Sequence, residues 1–224
     1  MKSGFEVIVI SDVHANIIAL REVFKHFISR NIIHAGDILG YNPYPLETIY
    51  FFMEKKIKTI LGNHDRAVLN GDTSRMNEYA SFAIEWTMQH LDQGSIDYLK
   101  SLKNSMRINI FGKKVAVYHG SPQNDDEYIY YEDLDESIIP RDVDVLILGH
   151  THIPYIKRFD EKIVINPGSV GQPRDGDPRA SFARIDENWN IRIERVEYDV
   201  KEVYKKIEES GLPDFLGTRL FNGI

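Results

Sequence analysis

The chain has 224 residues, 27 basic and 34 acidic, for a formal charge of −7, with 42% hydrophobic residues and no cysteine. That length and apolar content support a folded domain with a sizeable core, and exclude a disordered, collagenous or disulfide-stapled chain. The lack of cysteine removes thiolate zinc sites, iron–sulfur clusters and thiol nucleophiles, and the acidic balance counts against a broad duplex-binding face.

In chain order, residues 5–10 (FEVIVI) read as a buried strand. Apolar positions 17, 20, 24, 27 and 28 then predict a helix over residues 17–28. A short strand at 32–35 precedes a helix over 45–55, opened by Pro45 at its first position. A third strand is expected at 59–61, followed by helices over 76–91 and 95–102, the latter capped by its own Ser95. This alternation argues for parallel strands with crossover helices.

The second half reads differently. Residues 107–111 and 114–118 flank a Gly112-Lys113 turn, and 143–148 form a continuous apolar, fully buried strand. Strands at 155–159, 162–165, 180–186 and 190–197 suggest a meander, closed by a helix near 201–210. The acidic stretch 125–136, with its Tyr128-Ile129-Tyr130-Tyr131 run, is expected as an amphipathic helix with its aromatics inward. A substrate lid is the alternative for that stretch. No repeat, linker or membrane-length apolar run interrupts the chain, so one domain over residues 1–224 and a soluble cytoplasmic enzyme are expected.

Five polar motifs each follow a predicted strand. They are Asp12-Val13-His14, Gly36-Asp37, Gly62-Asn63-His64-Asp65, His119-Gly120 and Gly149-His150-Thr151-His152. Strand carboxyl ends in α/β sheets converge on one crevice, so these side chains are expected together. Carboxylate and amide oxygens with imidazole nitrogens suit Mn, Fe, Zn or Ni. A lone Asp-x-His is ordinary turn chemistry. A fixed tetrapeptide, by contrast, arises by chance in roughly one chain in a thousand of this length, and two such blocks occur here in order with three shorter ones.

In these blocks the sequence resembles the calcineurin-like metallophosphoesterase superfamily. The text around them is similar to a prokaryotic branch of YfcE-like phosphodiesterases and diadenosine-tetraphosphate hydrolases. The resemblance implies a four-layer α/β/β/α sandwich of two mixed sheets, with a dinuclear metal site at the strand carboxyl ends. Asp12, His14, Asp37 and His152 would hold one divalent ion, and Asp37, Asn63, His119 and His150 the other, with manganese foremost and Fe, Zn or Ni as alternatives. The implied reaction is hydrolysis of a small phosphodiester, nucleotide or phosphomonoester by in-line attack of a metal-bridging hydroxide, with His64 as general acid. Diadenosine-tetraphosphate hydrolysis is the alternative substrate reading; a nuclease or a catalytically silent scaffold ranks below it.

One departure stands out. Many relatives carry G-D-x-x-D-R-G, whereas this chain runs Gly36-Asp37-Ile38-Leu39-Gly40-Tyr41. The Asp that orients the leaving-group histidine and the phosphate-binding Arg are both absent. Asp65, backbone or water is expected to orient His64, and Arg66, Arg174 or Arg179 to meet the phosphate. Asn16 is either a helix cap or a substrate contact. The loop 172–179 is either a surface loop of internal Arg–Asp pairs or a phosphate-facing one. His26 and His90 are expected at the surface, and contact of His34 with the metal ligands is a minority reading beside ordinary packing before the Ala35-Gly36-Asp37 turn. Phe215, Leu216 and Phe221 suggest a partner surface, and homo-oligomerisation is open. The expected partner is a small phosphorylated molecule, with neither membrane nor nucleic acid.

Overall fold

The structure, a computed structural model, describes residues 5–224. Chain order runs β1 (Glu6–Ile10), α1 (Ile17–Val23), β2 (Ile32–His34), α2 (Pro45–Lys55), β3 (Lys58–Thr59), α3 (Asn63–Asn70), α4 (Glu78–Gln89) and α5 (Gln93–Ser101). It continues with β4 (Ser105–Ile110), β5 (Lys113–Tyr118), β6 (Val145–Ile147), β7 (Tyr155–Phe159), β8 (Lys162–Asn166), β9 (Ala180–Asp186), β10 (Ile191–Val196), α6 (Val200–Ser210) and α7 (Asp214–Thr218).

Two five-stranded mixed sheets result, in the orders β10-β9-β1-β2-β3 and β4-β5-β6-β8-β7. Each has a parallel triple, β1-β2-β3 ending at an edge of the first sheet and β5-β6-β8 at the centre of the second. Antiparallel β9 adjoins the first triple at β1, and antiparallel β4 and β7 flank the second on both sides. Inward residues of the two sheets, among them Val7, Val9, Ile33, Val117, Ile147 and Ile165, form the central core. The opposite face of β1 and β2 packs Ile8, Ile10 and Ile32 against Leu20, Ile49 and Phe52 of the helices. Burial on both faces explains why these strands read as unbroken apolar runs. This is the predicted α/β sandwich. Among the described residues no helix is long and apolar enough to cross a membrane.

Three local expectations fail for identifiable reasons. The first helix ends at Val23, because the chain must turn back to feed β2 at Ile32. Ser29 locks that turn by donating to the Glu6 carbonyl, and Ile28 faces solvent at 86% exposure. Helix α5 starts earlier than expected, since Asp92 caps it by accepting from Ser95 N–H at 2.8 Å; Ser95 lies within the first turn and is not the cap. The acidic stretch 125–136 is not a helix. It runs as turns into a short 3₁₀ segment at Glu136–Ile138. Ile129 and Leu134 pack onto Leu146 and Val164 and so cover the outer face of the second sheet, while Tyr128, Tyr130 and Tyr131 remain exposed.

Of the three C-terminal apolar residues singled out in the sequence, one is taken up by the core. Leu216 and Leu220 are buried with Tyr41, Val203 and Ile207, so this segment closes over the loop after β2. Phe215, Phe221 and Ile224 keep substantial exposure.

Candidate metal centre

All five motifs leave strand carboxyl ends on the same side of the sandwich. The first follows β1, the second β2, the third β3, the fourth β5 and the fifth β6. Packing so many polar side chains together strains the backbone. Asp12, His14, Asp37, His150 and His152 all have positive φ, between 47° and 68°. A non-glycine residue in this region costs about 1–2 kcal/mol, and such strain concentrates at functional sites.

The donor atoms fall into overlapping clusters: Asp12, His14 and His152; then His14, Asp37 and His64; then Asp37, His119 and His150. Asp37 joins the groups. Its Oδ2 lies 3.6 Å from His14 Nε2 and 3.2 Å from His119 Nε2, one histidine from each of two clusters. Asp12 Oδ1 lies 3.3 Å from His152 Nε2. Asn63, the first residue of α3, brings its Oδ1 to 3.0 Å from His119 Nε2. The sequence-predicted ligand residues are therefore all brought together.

One nitrogen of each candidate histidine is already committed to a backbone carbonyl. His14 Nδ1 donates to Leu39 O at 2.9 Å, His119 Nδ1 to Ala35 O at 2.8 Å and His152 Nδ1 to Gln172 O at 2.6 Å. His150 is reversed, with Nε2 donating to Asp126 O at 3.2 Å. This orientation leaves Nε2 of three rings and Nδ1 of His150 as the free lone pairs. The stacked ring of Tyr128, 3.9 Å from His150 between centroids, holds the fourth ring in place.

The electrostatics fit a cation. Burial drives His14 well below its usual pKa and His150 to about 3, while burial and Arg174 lower His152. Neutral imidazole is the ligand form. His119 goes the other way: although burial opposes its charge, Asp37 and Asp12 push it up to about 9. Its proton stands between two carboxylates where a metal ion would. His14 Nε2 and His152 Nε2 face each other at 3.0 Å, and both have given their only N–H to a carbonyl. Apart from the charged His119 that faces it at 3.2 Å, Asp37 Oδ2 is buried without a hydrogen-bond donor. Opposed lone pairs and a carboxylate oxygen so placed are costly unless a positive ion joins them.

Asp65 does not orient His64. Its carboxylate accepts from the N–H groups of Asp37, Ile38, Leu39 and Gly62 at 3.0–3.2 Å, so it shapes the loop that carries Asp37. Gly62 is demanded there, since a Cβ would overlap the Asp37 carboxylate. His64 Nδ1 is buried without any partner. Gly40, at φ +99°, lies directly against that nitrogen, and a Cβ at this position would collide with it. The ring is held by aromatic contacts alone, 4.5 Å from Tyr41 and 4.7 Å from His14 between centroids. Burial lowers its pKa to about 4, with Asp37 pulling the other way.

Of the substrate-contact expectations, two are redirected. Asn16 is a cap: its side chain accepts from Ala19 N–H and donates to Gly171 O, and it is wholly buried. Arg179 is exposed and bound to Asp177, in the internal-pair arrangement. Arg66 pairs with Asp126 at the rim of a cavity of 460 Å³ that opens onto Asn63 and His150. Arg174 reaches Tyr41 Oη at 3.2 Å, beside His64. His34 is buried behind the ligands, bound through Nδ1 to Thr59 Oγ1 at 2.7 Å, whereas His26 and His90 are exposed. Sequence reasoning missed Tyr41, Tyr128 and Arg219, since each reaches the site through packing that no local motif signals.

A profile of the Calcineurin-like phosphoesterase superfamily domain matches residues 5–189. An uncharacterized protein of Methanocaldococcus jannaschii is 36% identical over 239 residues, covering 97% of this chain and 98% of that protein. The phosphodiesterase YfcE of Escherichia coli strain K12 is 46% identical over 43 residues, 19% of this chain and 23% of its own length. The crystal structure of a metallophosphoesterase from Sphaerobacter thermophilus superposes with a TM-score of 0.85 at 35% identity, covering 99% of this chain and 100% of that one. With the clustered His and Asp side chains at its strand ends, the chain belongs to the calcineurin-like phosphoesterase superfamily and is a metal-dependent phosphoric ester hydrolase.

Proposed function

We propose that the protein hydrolyses a small phosphodiester, nucleotide or phosphomonoester at a two-ion centre. Asp12, His14, Asp37 and His152 hold one ion, and Asp37, Asn63, His119 and His150 the other. The observation that carries this reading is Asp37 Oδ2, buried with no donor but the charged His119 and within 3.6 Å of histidines from both groups. Manganese is the foremost candidate for this sulfur-free set, with Fe, Zn and Ni as alternatives.

When bound, two divalent ions activate water for in-line attack on phosphorus and neutralise the phosphoryl oxygens. The rest of the mechanism belongs to the chain. The committed Nδ1 and Nε2 atoms keep the histidines in one tautomer and one orientation. Asp65 fixes the Asp37 loop before any substrate arrives, so little reorganisation is needed at the moment of reaction. His64 carries the proton to the departing oxygen as general acid, its ring kept in place by Tyr41 and His14. Its depressed pKa makes the imidazolium a strong donor once formed.

The formal charge of −7 supports a small substrate over a polynucleotide. The test is a panel with and without added Mn²⁺ after chelation: bis-p-nitrophenyl phosphate, p-nitrophenyl phosphate, cyclic nucleotides and dinucleoside polyphosphates. Turnover that appears only on metal addition is expected. Absence of turnover with every ion and every ester would contradict the reading.

A further inference from the structure

Tyr41 touches more than His64 and His14. The guanidinium carbon of Arg174 lies 5.6 Å from its ring centroid and that of Arg219 lies 5.9 Å away. The two arginines are 45 positions apart in sequence. They meet because the C-terminal segment folds against the 172–179 loop, where Gly176 N–H donates to Gly223 O at 2.9 Å.

Neither guanidinium has an Asp or Glu carboxylate within 4.0 Å among the described residues. The acids of that loop are already used: Asp175 by Arg195, and Asp177 by Arg179. Arg174 gives Nε and one terminal nitrogen to Gln172 Oε1 and Tyr41 Oη, and the Tyr128 hydroxyl is its other polar neighbour. Arg219 gives only Nε to a protein acceptor, Ile224 O at 2.5 Å, so both its terminal nitrogens are open. Both side chains are half-buried. Two partly desolvated cations beside one ring, neither paired with an Asp or Glu side chain, are costly. The strain registers on Arg219, whose pKa burial and Arg174 together lower to about 10.

We infer that Arg174 and Arg219 form an anion subsite beside His64 that binds a second phosphoryl group, one carried by the leaving group of the substrate. Forked guanidiniums match phosphate oxygens in pairs, and a paired fork recognises phosphate far better than a point charge does. The reacting phosphoryl group belongs to the metal centre. The arginines lie around Tyr41, whose ring packs on His64, and His64 serves the departing oxygen. The preferred substrates are therefore phosphorylated alcohols or nucleoside phosphates whose leaving group is itself an anion. This placement on the leaving-group side rests on the proposed role of His64.

Inorganic pyrophosphate added to the metal-free protein tests the subsite without any turnover. Thermal unfolding should shift upward with saturable dependence on pyrophosphate. Arg174→Gln and Arg219→Gln should each weaken the apparent affinity about tenfold or more, and Arg179→Gln should bind as the parent does. Circular dichroism and the unfolding midpoint without ligand identify any variant that fails to fold, and the other arginine then decides. On metal-loaded protein, propane-1,3-diol bisphosphate should inhibit bis-p-nitrophenyl phosphate hydrolysis more strongly than propyl phosphate, and both variants should erase that preference. Parent-like pyrophosphate binding by both variants, or no binding by the parent, would overturn the inference. Should the loaded protein hydrolyse no phosphoester while the metal-free protein still binds pyrophosphate through these arginines, the subsite stands and the hydrolytic reading falls.

Discussion

Asp65 Oδ2 accepts the backbone N–H of Asp37 at 3.0 Å, so one buried carboxylate builds the loop that presents another. The same side chain gathers Ile38, Leu39 and Gly62. Removing it leaves four buried donors unsatisfied. Asp65→Ala should cost about 3 kcal/mol or more in chemical denaturation and weaken metal binding at both positions. Asp65→Asn, which keeps an acceptor oxygen, should cost less. Equal stability of Asp65→Ala and the parent would show that the loop stands without this carboxylate.

His64 is the residue at which proton donation and metal ligation can be told apart by experiment. His64→Ala should retain its metal content yet lose about 10²–10⁴ in rate on esters with poor leaving groups. The loss should be small for p-nitrophenolate, which departs as an anion. Equal losses on both esters would indicate charge stabilisation in place of proton transfer. Loss of one ion would instead make His64 a ligand, as its proximity to His14 and Asp37 allows.

Gly40 lies against His64 Nδ1 at φ +99°. Gly40→Ala adds a methyl group where the ring sits, in a backbone region that L side chains rarely adopt. It should displace the ring and lower turnover of unactivated esters more than of p-nitrophenyl esters. Stability should fall by about 1–2 kcal/mol. Parallel kinetics on the two ester classes provide the check, and a uniform loss would mean that Gly40 supports the whole loop and not His64 in particular.

How much of this was legible follows the range of each signal. Asp12, His14, Asp37, Asn63, His119, His150 and His152 sit in short motifs after strands, and strand ends converge by topology. The buried strands β1 and β6 declared themselves as apolar runs. Stretch 125–136 did not, because its alternation of acidic and aromatic residues also suits an irregular cover whose occasional Ile129 and Leu134 reach the sheet. Helix α1 was over-extended because Phe24 and Phe27 pack on the core from a turn as they would from a helix. Arg219 was invisible, since its proximity to Arg174 depends on how the last helices close over Tyr41.

Metal removal should weaken the fold as well as the chemistry. The proposed ligands other than Asn63 are wholly buried or nearly so, and Asp12 and Asp37 keep their charges because neighbouring histidines outweigh the burial that opposes them. A divalent ion binds this arrangement and not the unfolded chain, which stabilises the fold by about 2.7 kcal/mol at a hundredfold excess over Kd. Chelation should lower the unfolding midpoint, and added Mn²⁺ should restore it. An unchanged midpoint would mean that the site holds no ion tightly.

The most direct measurement is metal titration of the parent and Asp37→Asn by calorimetry, with bound metal counted independently. The parent should bind two divalent ions per chain, and Asp37→Asn should bind weakly at both positions, because one carboxylate serves both. Titration of Asp37→Asn that matched the parent at both positions would contradict the bridging role on which the account depends.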